Sequence, residues 1–469
     1  MKAIPLKDVR KLVNGTVIQG SEDMIIQDAI VFHQHKLVKA NSLVFIDKRK
    51  TISQKKLNKV IQHQCAIVTD LHPEGISNIE NLPIITVQNV RKALMDFAHY
   101  YRGLLSIPVV AITGTCGKTT TREMLTHIME ESHTVRSTTR NNNQPHKSFQ
   151  YLMSIDENVE AGVFETGLGG PNDLHYHCQI YQPTIGIITN IGIYHLDRCK
   201  TFEGYLAAKA EMLEGLQNKG TLLLNGDDDN IKKINLDHYK GKIHYFSIHK
   251  DSPCKASTIF FTKEGTNFTL HFQGKRYSVF LPEFGEHQVY NALAAIRAAH
   301  EMGIEIEQSI RKLRSFKNIE RHLQIIKGIQ GATIVDDTWN SNPTSLKEAF
   351  KVLKVLARGK KRVAVIGDVD KLGDYSEMVH RDIGDTVVEC GVDTLITYGE
   401  NARYVADQVI TKSKNTKAYA FTSIEQVYET VLLNLDPDTY VLVKCRKTNK
   451  ALLEMKDKLI QSKDGGEGI

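Results

Sequence analysis

The run Thr113-Gly114-Thr115-Cys116-Gly117-Lys118-Thr119-Thr120-Thr121 brings together the residue types that hold a nucleoside triphosphate. Its two glycines allow a tight backbone turn, so that amide N–H groups converge on phosphate oxygens. Lys118 supplies charge to the β- and γ-phosphates, and the Thr119 hydroxyl is a ligand for Mg2+. The apolar run VVAIT precedes the loop and TREMLTHIMEE follows it, which is the strand–loop–helix setting this chemistry needs. The strict phosphate-loop pattern asks for a further glycine five residues before Gly117, where Ile112 stands. A Gly/Thr-rich turn that binds nothing is the competing explanation, and the flanking strand, the helix and the GKTTT core weigh against it. A nucleoside triphosphate is the expected ligand, with Gly114, Thr115, Cys116, Gly117, Lys118, Thr119 and Thr120 around its phosphates.

Further chemistry-bearing residues follow in a fixed order. Arg140-Asn141-Asn142-Asn143 comes first, then Glu165 in VFETG, then Thr189-Asn190-Ile191-Gly192-Ile193-Tyr194-His195 and Ala207-Ala208-Lys209-Ala210-Glu211. Beyond them lie Gly285-Glu286-His287-Gln288-Val289-Tyr290-Asn291-Ala292, Arg321, and Asp336-Asp337-Thr338-Trp339-Asn340-Ser341-Asn342-Pro343. Gly367-Asp368-Val369-Asp370-Lys371-Leu372-Gly373-Asp374-Tyr375-Ser376, with His380 after it, completes the series. Each has a bland explanation when taken singly. Glu165 could be a solvated strand end, His195 a loop residue, Lys209 a helix-surface charge, His287 and Asn291 helix caps, and Trp339 core packing.

In this order the motifs resemble those of the Mur ligase family, and the resemblance covers nearly all of the chain. Within the family the chain is most similar to the MurF branch, which adds D-alanyl-D-alanine to a UDP-linked muramoyl peptide. The TGTCGKTTT loop is similar to the family's TGTxGKTTT, DDTWNSNP to the branch's DDxYNANP, and GDVDKLGDYS with His380 to its GDMxELGxxS…H.

The resemblance implies a three-domain α/β architecture, with a phosphate-loop parallel-sheet central domain and a Rossmann-like C-terminal domain. It implies Mg2+ held by Thr119, Glu165, His195 and Lys209, the lysine as an N-carbamate. Asn291 is implied to lie against adenine, Asp337 at the ribose, Asn340 at the nucleotide edge and Arg321 at the phosphates. Lys118, Lys209, His195 and Arg321 are the implied catalytic residues. The implied reaction is ATP-dependent amide formation through an acyl-phosphate, in peptidoglycan precursor synthesis. Its partners would be a small carboxylate acceptor, such as a UDP-muramoyl peptide, and an amino acid or dipeptide.

The chain departs from the branch in three places. The first region has neither DSR nor DGH; Gln34-His35-Lys36 and Leu43-Val44-Phe45-Ile46-Asp47-Lys48-Arg49-Lys50 stand in the matching stretch. The glycine–proline step after the Asn-rich loop is replaced by Gln144-Pro145-His146-Lys147-Ser148, and VKGSR by Val443-Lys444-Cys445-Arg446-Lys447. The last of these lies near the incoming amine in the family. Two alternatives follow: a ligase of the same type acting on a different carboxylate, and a nucleotide-binding regulator without catalysis. A simple phosphate-loop kinase would leave the later motifs without a role.

These residues need three successive α/β units to position them. Residues 1–105 contain the strand-like runs SLVFID and CAIVTD and a helix, VRKALMDFAHYYRGL, consistent with an N-terminal domain for the UDP end of the substrate. Residues 106–315 alternate strands (GVFET, IGIITNI, GTLLLN) with amphipathic helices, which predicts a parallel sheet. A meander over STIFFTKEGTNFTLHFQGKRYSVFL and the helix of HQVYNALAAIRAAHEMG close this unit. Residues 316–469 carry ATIVDD, KRVAVIGD, TLITYG and TYVLVK with helices between, then a polar tail, SKDGGEGI, expected to be disordered.

A chain of 469 residues is too long for one core. The net charge of +6 is spread along it, which argues for no nucleic acid and suits an anionic substrate. Seven scattered cysteines without CxxC spacing suit a reducing cytoplasm, and no apolar run approaches a membrane span. A cytoplasmic monomer is the expectation.

Overall fold

The computed structural model describes residues 1–49, 54–72, 79 and 81–460. Lys50 and the polar tail from 462 onward, both singled out in the sequence, lie outside them. The chain is mixed α/β, built on three large sheets and a two-stranded ladder of Ile4–Pro5 with Ile25–Ile26.

The first sheet has five strands in the order Thr16–Gln19, Ile84–Thr86, Ala66–Thr69, Ser42–Ile46 and Asp28–Val31. All of its pairings are parallel except the first. The helix Val90–Gly103 lies against it, its start capped by Asn89, whose side chain accepts from the N–H groups of Arg91 and Lys92. Val90, Ala93, Leu94, Phe97, Ala98 and Tyr101 form its buried stripe. That stripe packs into a core with Phe149, Leu152, Phe164 and Tyr181, so apolar packing runs across position 105. Buried Arg102 ties the same junction, donating to the carbonyls of Leu105, Ile107, Tyr181 and Gln182.

The second sheet has nine strands. From one edge they run Lys275–Leu281, Thr266–Phe272, Cys254–Phe261, Lys242–Ser247, Thr221–Asn225, Ile185–Ile188, Val109–Thr113, Ala161–Glu165 and Val135–Ser137. The meander strands pair antiparallel and all the others parallel. Val109–Thr113 is the pivot of this order. The chain runs from it to 135–137 and 161–165 on one side, then crosses to 185–188 on the other. The crevice beyond its carboxyl end is therefore a topological switch point, where open α/β sheets bind ligands.

The third sheet has six strands in the order Gln324–Lys327, Thr333–Asp337, Thr439–Lys444, Lys361–Gly367, Thr394–Tyr398 and Lys417–Phe421, parallel except for the first pair. The carboxyl ends of Thr333–Asp337 and Thr439–Lys444 deliver Asp337 and Lys444 side by side. Helix Pro343–Leu356 starts just after them, with Asn342 and Ser345 forming a reciprocal capping box.

Candidate active site

The phosphate loop leaves the pivot strand in a conformation that only its glycines take without strain. Gly114 has φ +146° and Gly117 has φ +80°. A Cβ at Gly114 would stand 1.9 Å from Thr189 Oγ1, and one at Gly117 2.2 Å from Asn291 Oδ1. The loop is held from below by the Thr189–Asn190 turn. Thr115 N–H donates to Asn190 O at 2.9 Å, Cys116 N–H to Asn190 Oδ1 at 2.9 Å, and Thr189 Oγ1 to Cys116 O at 2.5 Å. Thr115 Oγ1 meets the Tyr205 hydroxyl at 3.0 Å. Lys118, first residue of the helix Lys118–Met129, folds its ammonium onto the carbonyls of Gly114 (2.8 Å) and Thr115 (3.1 Å). Thr120 follows it, nearly buried, on the cavity wall.

Glu165 ends its strand 1 % exposed, with both carboxylate oxygens engaged. Thr119 Oγ1 donates to Oε2 at 2.8 Å and Asn143 Nδ2 to Oε1 at 2.5 Å. The Asn-rich loop thus reaches the site through Asn143, and its backbone is fastened by fully buried Arg122, which donates to the carbonyls of Thr138 and Arg140.

Lys209, on the helix Phe202–Gly215, is a buried amine and not a surface charge. Its Nζ donates to Thr113 Oγ1 at 3.0 Å and Gly114 O at 3.1 Å and lies 5.2 Å from the centre of the Tyr205 ring. Burial, and then the charge of Lys118, hold its pKa well below the ordinary lysine value, which favours the neutral amine. His195 adopts a left-handed backbone (φ 56°), between the rings of Tyr194 and Tyr205. Burial lowers its pKa to about 2, helped by the nearby basic side chains, Lys371 foremost.

From the C-terminal unit, buried Lys444 donates to Asp337 Oδ2 and to the Asn340 carbonyl, at 3.1 Å for the latter. Asn342 Oδ1 accepts from Cys116 Sγ at 3.0 Å, joining this unit to the phosphate loop. Lys447 Nζ donates to Asn141 Oδ1 at 2.7 Å and lies 4.7 Å from the centre of the Trp339 ring, while Leu196 N–H donates to Lys371 O at 2.9 Å. Between the central and C-terminal units is a cavity of about 880 Å³.

The structure brings nearly all the sequence-predicted residues to this cavity. Its lining includes Thr115 to Thr120, Glu165, His195, Asn291, Asp337 and Asn340. Gly114 and Lys209 sit directly behind the lining, joined by their hydrogen bond. Asn291 is 4 % exposed, its amide engaged by Thr121 Oγ1 at 3.3 Å and Gln288 Oε1 at 2.9 Å.

Arg321 is not brought there. Its backbone is left-handed (φ 62°) and its guanidinium pairs with Glu320 at 3.7 Å, while the next residue, His322, lines the cavity against Trp339. Sequence reasoning gave no site role to His322, Lys371, Arg198 or Tyr205. Lys371 sat within a quoted motif, but the others carry no local signal and reach the site through the fold alone.

Residues 112–299 match the Mur ligase middle domain, and residues 321–446 the domain described as Mur ligase, glutamate ligase domain. A UDP-N-acetylmuramoyl-tripeptide–D-alanyl-D-alanine ligase of Bacillus subtilis is 26% identical, over 97% of this chain and 98% of its own length. The enzyme of the same name from Buchnera aphidicola (subsp. Baizongia pistaciae) is 31% identical, over 79% of both chains. A crystal structure of MurF from Acinetobacter baumannii superposes with a TM-score of 0.83 at 23% identity, covering 98% of this chain and all of that one.

Proposed function

The chain belongs to the Mur ligase family, and from that premise we infer that it is an ATP-dependent, ADP-forming carbon–nitrogen ligase that adds D-alanyl-D-alanine to a UDP-muramoyl tripeptide in peptidoglycan precursor synthesis. The observation that carries this reading is convergence: the phosphate loop, the Thr119–Glu165 pair and the Asp337–Lys444 pair belong to two different units and line one cavity.

A carboxylate is a poor electrophile at neutral pH. The γ-phosphoryl of ATP is transferred to its oxygen, which gives an acyl-phosphate and ADP. The dipeptide amine attacks the carbonyl carbon, phosphate leaves with the bonding pair, the nitrogen loses a proton, and an amide remains. The protein's part is to position and to neutralise charge. Lys118, whose hydrogen-bond partners among the described residues are two neutral carbonyls, can turn onto phosphate oxygens. The C-terminal unit covers the reacting groups and keeps water from the acyl-phosphate.

The residues fit a hard divalent cation. Glu165 and Thr119 present oxygens within hydrogen-bond distance of one another, and Lys209, whose hydrogen-bond partners among the described residues are a hydroxyl and a carbonyl, favours the neutral state in which an amine can take up CO2 as a carbamate. Thr119, Glu165, His195 and the Lys209 carbamate would hold Mg2+, which supplies charge neutralisation at the phosphates. We assign Asp337 and Asn340 to the ribose and nucleotide edge, and Asn291 to the adenine side, on the strength of their place in the cavity lining. The domain limits 1–105, 106–315 and 316–469 remain our division of the chain. A monomer in the cytoplasm is our reading of its setting, and its seven free thiols accord with a reducing compartment. Among the described residues no helix is long and apolar enough to cross a membrane.

The test is phosphate release on mixing ATP, UDP-muramoyl tripeptide and D-alanyl-D-alanine. Release should require all three, and Lys118→Ala should lower it by about 10²-fold or more. Full activity in Lys118→Ala, or turnover with other acid–amine pairs and none with this one, would overturn the assignment.

A further inference from the structure

One buried carboxyl lies outside the chemistry above. Glu283, in the turn between strand Lys275–Leu281 and helix Glu286–Glu301, is 2 % exposed and takes part in none of the ion pairs found among the described residues. Its Oε2 accepts from Asn318 Nδ2 at 3.0 Å and from Gln288 Nε2 at 3.4 Å. Gln288 Oε1 in turn accepts from Asn291 Nδ2 at 2.9 Å, and Asn291 Oδ1 accepts from Thr121 Oγ1 at 3.3 Å while it packs against Gly117. Gln288, Asn291 and Thr121 are all buried. The result is one hydrogen-bonded chain. It starts at Asn318, at the beginning of the C-terminal unit, and ends at Thr121, on the first turn of the helix that follows the phosphate loop.

The direction of the donors fixes the orientation at each link. Asn291 has one amide group to share between its neighbours. It can offer Oδ1 to Thr121 only while its Nδ2 is held by Gln288 Oε1, and Gln288 keeps that orientation while its own Nε2 has an acceptor. Glu283 is that acceptor. The same oxygen holds Asn318, so the phosphate loop and the interdomain segment share one anchor.

We propose that Glu283 is a positioning residue for nucleotide binding, setting Asn291 against the phosphate loop through Gln288 and fastening the interdomain segment to the same network through Asn318. The proposal rests on the reading of Gly117 and Asn291 as part of the ATP site. An oxygen acceptor is what the network needs from Glu283, and a charge is not. The side chains that donate to its carboxyl, Gln288 from the helix and Asn318 from the segment, are uncharged, and the Thr266 hydroxyl from the neighbouring strand donates to its main-chain carbonyl. Burial accordingly raises its pKa to about 8, so it is a neutral acid at neutral pH. Above that pH the carboxyl ionises with no ion-pair partner among the described residues, and the cost of an unpaired buried charge favours opening of the network to water, which would loosen Asn291.

The experiment measures the ATP dissociation constant calorimetrically for the wild type, Glu283→Gln and Glu283→Ala between pH 6.5 and pH 9, roughly the window in which a carboxyl of this pKa titrates, with thermal melts run alongside. At pH 7 the glutamine variant, which keeps an oxygen acceptor, should bind ATP like the wild type. The alanine variant leaves Gln288 and Asn318 unpaired, and should bind roughly fivefold or more weakly. Wild-type affinity should fall as pH rises through about 8, and that fall should be absent in Glu283→Gln. Equal ATP affinity in all three proteins, or the same pH dependence in wild type and Glu283→Gln, would overturn the proposal. If Glu283→Ala does not fold, Gln288→Leu, which breaks the same network one link along, takes its place and should bind ATP roughly fivefold or more weakly, with unchanged affinity overturning the proposal. A wild type that binds no ATP would instead overturn the reading of the site itself.

Discussion

Lys118 and Lys209 carry the same side chain to the same loop, and their surroundings divide the work. Lys118 keeps its pocket-facing position and rests on two neutral carbonyls, which cannot compete with phosphate for its charge. Lys209 is buried behind the loop with a hydroxyl and a carbonyl for partners, and loses the solvation that an ammonium needs. On the carbamate reading its role is to become an anionic oxygen. Lys209→Ala should then lose ligation and regain part of it with millimolar acetate or formate, small enough to enter the space left by the side chain. Arginine at 209 should not be rescued, because the space is filled and the charge has the wrong sign. Phosphate release against carboxylate concentration is the measurement; an alanine variant as active as wild type without added carboxylate would sink the role. The depressed basicity of this lysine was invisible in the sequence, where AAKAE looks like any helix surface, since burial is decided by the packing of the helix Phe202–Gly215 against the loop.

At the scale of elements, the phosphate loop is where local sequence and tertiary structure agree most closely. Gly117 needs its left-handed backbone to start the helix, and the space where a Cβ would stand is taken by Asn291. Gly117→Ala should therefore weaken ATP binding by about tenfold, from backbone strain of roughly 1 kcal/mol together with displacement of the Asn291 amide. A calorimetric dissociation constant unchanged from wild type would contradict it. The strands were legible because apolar runs such as VVAIT, TLLLN and YVLVK are bounded by polar turns, and the meander because its alternation has period two. Motif residues at strand ends, Glu165 and Asp337, were legible for the same reason: a strand fixes where its last side chain arrives. Arg321 shows the limit. It lies in a turn with no periodic backbone, where a left-handed residue hands the cavity wall to its neighbour, His322. Pattern alone could not decide between adjacent residues there. Asn143 and Gln288 sit inside quoted motifs, but what each side chain holds could not be read there, because the fold decides which groups meet it.

The whole molecule is held together by two different kinds of contact. The first sheet's helix Val90–Gly103 and the central unit share one apolar core, in which Phe45, Phe97 and Phe149 meet with ring centres 5.7 to 6.3 Å apart. Arg102 adds four carbonyl contacts at the same place. The C-terminal unit instead meets the central one across the cavity, through the polar links Cys116 to Asn342, Lys447 to Asn141 and Leu196 to Lys371, with half-buried Ile193 and Phe284 packed against its core. Continuous apolar burial tolerates no gap, whereas the partners in a hydrogen bond can be replaced by water when two units separate. The first two units should thus move and unfold together, and the third should be the one that opens to admit nucleotide. Phe149→Ala tests this, since it empties space at the shared core at a cost of about 3–5 kcal/mol. Amide hydrogen exchange on that variant should show helix Val90–Gly103 and strand Ala161–Glu165 losing protection in step, with strand Lys361–Gly367 little changed. Loss confined to residues before 105 would show that the first unit unfolds independently of the second. Loss spread equally into the third sheet would show that the polar links couple all three units as tightly as the core does.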